Sequence, residues 1–128
     1  MNSQDKNKFS IRDRIKSSTH AWRGLGILFK TTHNAWLQIF FGILAIYLGY
    51  ILCISKTEWL FIIFAIGIVF ITEAINTALE IDINLTSPEF HPYARDTKDV
   101  AAGAVLISVI LSIIVAFFIF LPKIIIMI

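Results

Sequence analysis

The sequence predicts an all-α membrane protein, with one amphipathic helix on the membrane surface followed by three transmembrane helices. Three observations carry this fold class. Hydrophobic residues make up 57% of the 128 residues and charged ones only 16%, whereas a soluble domain is nearer half apolar and about a quarter charged. Three segments approach the roughly 20 apolar residues that cross a bilayer. The basic residues crowd ahead of the first of them. The same composition excludes disorder, which needs low hydrophobicity and high net charge. The single cysteine, Cys53, excludes a disulfide framework and a thiolate metal cluster. A net charge of +2 gives no case for nucleic acid, and the length fits one domain.

Residues 10–31 read as the surface helix. Ile11, Ile15, Trp22, Leu25 and Phe29 recur at helical spacing, and Arg12, Lys16, Arg23 and Lys30 fall elsewhere. A helix packed on a soluble core has the same pattern, but the apolar span that adjoins it favours the membrane interface. The first thirty residues lack an apolar h-region, so no signal peptide is expected. The first span, 36–54, contains no charge, and Gln38 is its only strongly polar residue. The second, 59–85, is apolar to Ile71 and then carries polar interruptions. In the third, 100–121, only Ser108 and Ser112 interrupt the apolar run.

Charge sets the expected orientation. Lys6, Lys8, Arg12, Arg14, Lys16, Arg23 and Lys30 precede Trp36, opposed only by Asp5 and Asp13. The positive-inside rule puts that end in the cytoplasm. The turn 55–58 then lies outside, the loop 86–98 returns to the cytoplasm, and Lys123 is an exception at the outer end. Trp36 and Trp59 sit at span ends, where interfacial aromatics belong. Gly42, Ala45 and Gly49 share one face, as do Ala101, Ala104, Ser108 and Ser112. Such stripes let helices approach closely in lipid, though chance in small-residue-rich helices gives the same pattern. Cys53 reads as an apolar filler.

The informative stretch is Glu73, Asn76, Thr77 and Glu80. Offsets of three, four and seven place these side chains within roughly 100° on one helical face. An ionised carboxylate at the bilayer centre costs about 2.5–3.5 kcal/mol or more on insertion scales, so such residues mark a site by default. A polar contact that only assembles the bundle would account for one Asn or Thr; two glutamates with an Asn between them suit it poorly. A second cluster, Arg95, Asp96, Lys98 and Asp99, precedes the third span. Alone it reads as a solvated loop with an Asp helix cap. Beside the second-span stripe it completes a phosphoryl-transfer set, in which carboxylates hold Mg²⁺ and Lys neutralises phosphate. No Walker-type glycine loop is present.

The run Glu73-Ala-Ile-Asn76-Thr77-Ala78-Leu79-Glu80, with Lys98-Asp99 later, resembles the small prokaryotic diacylglycerol kinase and undecaprenol kinase family. Trp22-Arg23-Gly24-Leu25 and Ser87-Pro88-Glu89-Phe90-His91 extend the resemblance over nearly the whole chain. The resemblance implies a single kinase-like domain, 1–128, in a multi-pass homotrimer of the bacterial inner membrane. It also implies phosphorylation of a membrane lipid hydroxyl, diacylglycerol or undecaprenol, by ATP with Mg²⁺. Carried across residue by residue, Glu73 is the general base, and Glu80 and Asn76 hold the metal. Lys98, Asp99 and Asn76 bind nucleotide, and Trp22, Lys16, Asn84 and Thr32 contact lipid or nucleotide.

Two positions depart from the family pattern. Thr32 stands where the family carries a glutamate two residues before Asn34, and Asn84 stands where it carries an aspartate one turn after the second glutamate. Each change removes one negative charge from the implied site. Asp82 lies about 200° around a regular helix from Glu80 and is no obvious replacement for the missing aspartate. His33 is a softer ligand that suits Mg²⁺ poorly. The alternatives to an active kinase are a catalytically weakened relative that binds lipid or nucleotide, and a small channel or transport subunit lined by Glu73 and Glu80.

Overall fold

The computed structural model describes residues 9–128, so Lys6, Lys8 and Asp5 lie outside the described residues. Four helices follow one another: α1 Ile11–Thr31, α2 His33–Ile51, α3 Lys56–Thr86 and α4 Pro92–Met127. The last three are long and apolar enough to cross a membrane.

Local chemistry sets each helix end. Ser10 Oγ accepts from the Asp13 amide and starts α1. A single extended residue, Thr32, separates α1 from α2. The corner is pinned by Trp36, whose Nε1 donates to the Phe29 carbonyl at 2.8 Å while its ring lies 5.7 Å from that of Phe29. Ile11, Ile15, Trp22 and Leu25 stay exposed, the apolar face that a surface helix turns to lipid. Ser55 and Glu58 form a reciprocal capping box at the start of α3.

The end of α2 depends on Cys53. Its amide donates to Tyr50 O, and the next amide, of Ile54, donates to Gly49 O. This is the Schellman pattern, with Cys53 at the left-handed position (φ 48°). Cys53 is exposed there rather than filling the interior. A left-handed conformation costs a side-chain-bearing residue about 1–2 kcal/mol. Cys53→Gly is therefore expected to stabilise the detergent-solubilised protein by about 1 kcal/mol, read as a raised thermal midpoint. A lowered midpoint would show that the thiol itself contributes.

Helix α4 starts earlier than the apolar run does. Pro92 occupies its first turn and His91 Nδ1 accepts from the Tyr93 amide. The expected loop 86–98 contracts to residues 87–91, and Arg95 to Asp99 are helical. Asp99 is thus not a cap; His91 is. A membrane boundary ends an apolar run but not a hydrogen-bond ladder. At 36 residues α4 is about 54 Å long, more than a hydrocarbon core of about 30 Å requires, and its charged residues Arg95, Asp96, Lys98 and Asp99 fall in its first turns.

Helices α3 and α4 run antiparallel. Glu58 meets Lys123, Ser112 Oγ donates to the Ala65 carbonyl, Thr72 bonds Ser108, and Lys98 reaches Asn84. Lys123, the basic residue near the end of α4, has its counter-charge in Glu58 at 3.3 Å. Ala101 and Ser108 are buried. On α2 a Cβ at Gly49 would lie 2.9 Å from both Ile54 Cδ1 and Trp59 Cη2, so the missing side chain is what admits Trp59. An apolar core of Ile54, Ile62, Ile119 and Phe120 closes this end of the bundle. The opposite end holds the polar residues.

Candidate functional site

The polar stripe lies on the last turns of α3, where α2 begins and α4 starts. Glu73, Asn76 and Thr77 are buried, and Glu80, one turn on, is exposed. The neighbours of each residue follow from the helix it faces. Glu73 turns to α2, where Gln38 Nε2 donates to its Oε2 at 2.8 Å. Thr77 turns to the α1–α2 joint, where its hydroxyl lies 3.2 Å from that of Thr32. Asn76 Nδ2 donates to Glu80 Oε1 at 3.2 Å. Farther along, Lys98 Nζ donates to Asn84 Oδ1 at 2.6 Å, which ties the first turns of α4 to the end of α3.

Burial makes this cluster unusual. Glu73 is 1% exposed, and two buried amide oxygens, Gln38 Oε1 and Asn76 Oδ1, have no hydrogen-bond partner among the described residues. A buried acceptor without a donor typically costs about 1–3 kcal/mol. Two of them beside a buried carboxylate are binding capacity not used within the chain.

Two grooves reach the cluster. One, of ≈ 510 Å³ between α3 and α4, is walled by Thr72, Asn76 and Leu79 on one side and Tyr93, Asp96 and Thr97 on the other. The second, of ≈ 450 Å³, runs between α2, α3 and α4 and is apolar except near its α2 start, at Asn34 and Gln38, and at Ser112. The first is bordered by Asp96 and by the hydroxyl groups of Thr72, Tyr93 and Thr97 at the start of α4. The second lies along the apolar spans.

Some residues singled out by sequence are joined here and others are not. Thr32, Glu73, Asn76 and Glu80 share the stripe with Thr77, and Asn84 holds Lys98. Asp99 turns to Arg95 at 3.8 Å, both side chains exposed. Trp22 and Lys16 are exposed on α1 without a hydrogen bond to the stripe. Sequence reasoning gave no role to Gln38, Tyr93 or Thr97. Gln38 was detectable as the one strongly polar residue of the first span. Tyr93 and Thr97 were not, because their place depends on α4 beginning at Pro92.

The donor chemistry bears on a metal. Among the described residues no three His, Cys, Asp or Glu side chains converge. Glu80 and Asn76 carry hard oxygen donors one turn apart, with the Asn76 NH₂ now turned to Glu80 Oε1 and its own oxygen unpartnered, so a turn of the amide would bring both oxygens to one ion. That set suits Mg²⁺, which binds through one or two carboxylates with substrate phosphates and water, and not Zn²⁺, which prefers nitrogen and sulfur.

Residues 19–120 match the family model described as prokaryotic diacylglycerol kinase. An undecaprenol kinase of Bacillus subtilis is 36% identical over 109 residues, 85% of this chain and 89% of that protein. A diacylglycerol kinase of Synechocystis is 33% identical over 109 residues, 84% of this chain and 62% of that longer protein. A diacylglycerol kinase of Helicobacter pylori is 35% identical over 74 residues, 58% of this chain and 55% of that protein.

Proposed function

We propose a reaction on the basis that this chain belongs to the prokaryotic diacylglycerol kinase family and is a lipid kinase. Its substrate is the hydroxyl of a membrane lipid, diacylglycerol or undecaprenol, and its phosphoryl donor is ATP with Mg²⁺. The observation that carries the reading is Glu73, a carboxylate buried in a membrane span and held by Gln38.

The chemistry divides among the residues as follows. The lipid hydroxyl oxygen attacks the γ-phosphorus, the bond to the β–γ bridging oxygen breaks, and ADP leaves with that electron pair. Glu73 takes the hydroxyl proton and passes it to water. Glu80 and Asn76 Oδ1 would hold Mg²⁺, which when bound neutralises the phosphate oxygens. Lys98, anchored by Asn84, supplies a point charge to the phosphates. Asp99, paired with Arg95, keeps that basic residue beside the nucleotide site. Trp22 and Lys16 contact lipid at the membrane surface. The proposal places the first helix on the cytoplasmic face of a bacterial inner membrane and assembles the chain as a homotrimer. Two oxygen donors per chain leave room for a neighbouring protomer to complete the metal site.

The test is purified protein in lipid nanodiscs with labelled ATP and Mg²⁺, given diacylglycerol or undecaprenol in separate arms. The expected product is the matching lipid phosphate. No product from either lipid, beside an active family control, overturns the reading.

Thr32 and Asn84 favour a second form of the same reading, a slower enzyme with weak metal binding. Thr32→Glu returns a carboxylate to the place where Thr32 now meets Thr77. It is expected to lower the Mg²⁺ concentration for half-maximal rate about tenfold, a change of ~1.4 kcal/mol. Losing the hydroxyl contact costs about 1 kcal/mol of stability. A Mg²⁺ titration that superimposes on the wild type removes position 32 from the metal site.

A further inference from the structure

Gln38 is left over from the mechanism above. Its Nε2 donates to Glu73 Oε2 at 2.8 Å, while its Oε1 is buried and has no partner. The amide presents its NH₂ to Glu73 and turns its oxygen away from it, the orientation that leaves Glu73 free to take a proton. The unpartnered group is therefore an acceptor. Gln38 also lines the apolar groove between α2, α3 and α4, together with Leu37, Phe41, Val69 and Val109. Of the other polar side chains lining that groove, Asn34 is exposed at its α2 start, and Ser112 already donates its hydroxyl to the Ala65 and Ser108 carbonyls.

We propose that Gln38 is a positioning residue for the lipid alcohol. The apolar groove takes the hydrocarbon chain, Gln38 Oε1 accepts a hydrogen bond from the lipid hydroxyl on arrival, and Gln38 Nε2 keeps the Glu73 carboxylate beside it. This rests on the lipid kinase reading and deepens it. The occupant is specified by what the groove offers. An apolar channel within membrane-spanning helices selects a hydrocarbon chain. A lone acceptor beside a carboxylate selects a head group that donates a hydrogen bond. An alcohol does so. The phosphorylated product, ionised and accepting only, does not, and two facing acceptors repel it. Gln38 thus favours entry of the alcohol and departure of the phosphate ester.

The experiment measures KM for lipid and for ATP separately in wild type and in Gln38→Met, which keeps the length and apolar stem of the side chain and removes both hydrogen-bonding groups. KM is independent of the fraction of enzyme that folds. We expect the lipid KM to rise about tenfold, the worth of one hydrogen bond in a dry site, with the ATP KM unchanged and kcat reduced. Added lipid phosphate inhibits Gln38→Met more strongly, relative to its lipid KM, than it inhibits wild type. Unchanged lipid KM, or equal rises in both KM values, overturns the proposal while leaving the kinase reading intact. If wild type phosphorylates neither lipid, it is the kinase reading that fails. If Gln38→Met is inactive, binding of labelled diacylglycerol and undecaprenol and of a non-hydrolysable ATP analogue decides. Lipid binding lost with nucleotide binding kept supports the proposal, and any other pattern overturns it.

Discussion

Replacing Glu73 by Gln is expected to reduce phosphoryl transfer at least about 10²-fold and up to about 10⁴-fold, the usual contribution of a positioned general base. The substitution is nearly isosteric. The new amide oxygen can still accept from Gln38 Nε2 as Glu73 Oε2 does, so the α2–α3 contact and the packing around a side chain 1% exposed are kept. What is lost is the ability to take a proton. The rate of lipid phosphate formation should therefore collapse while helicity and thermal midpoint stay near the wild type. A variant with wild-type rates would remove Glu73 from the chemistry and leave it as a bundle contact.

The second large effect is expected at Lys98. Its ammonium is held at 2.6 Å by the Asn84 amide oxygen, a charge-assisted hydrogen bond that fixes the position without neutralising the charge. The family's aspartate at that place would offset it. In the proposed mechanism, Asn84 therefore leaves Lys98 a fuller positive charge than a carboxylate partner would. Lys98→Met keeps a good helix former and the apolar stem. Removing a fixed charge aimed at developing negative charge typically costs about 10²–10³ in rate. We expect such a loss together with a raised ATP KM and an unchanged lipid KM. Unaltered ATP kinetics would mean that Lys98 serves only to staple α4 to α3.

The two substitutions separate what was legible in the chain from what was not. The Glu73, Asn76, Thr77, Glu80 stripe was readable because helical periodicity and the cost of polar groups in lipid act within one segment. Their partners were not readable. Gln38 meets Glu73 across 35 positions, and Thr32 meets Thr77 across 45. No local rule sets those registers; the depth of α2 against α3 does, through close contacts such as Gly49 against Trp59. The start of α4 was missed for a related reason. Hydropathy reports the bilayer edge near Val100, whereas the helix follows its hydrogen bonds to Pro92. Thr32 and Asn84 stood out in sequence as departures, but only their contacts show what each now does: one meets a second hydroxyl, the other anchors a lysine.

The sequence by itself determined the number of spans and the surface helix, because the apolar excess and its periodicity are summed over neighbouring residues. It also determined the polar face that marks the site, and its motif pointed to the family. The tertiary structure decided which of those polar groups are satisfied and which are left open. Glu73 is buried and held, Lys98 is anchored, Asp99 pairs with Arg95, and the Gln38 and Asn76 oxygens remain without partners among the described residues. Hydrogen-bond satisfaction is a property of helices in contact, fixed by register and distance between segments far apart in the chain, and no single segment carries it.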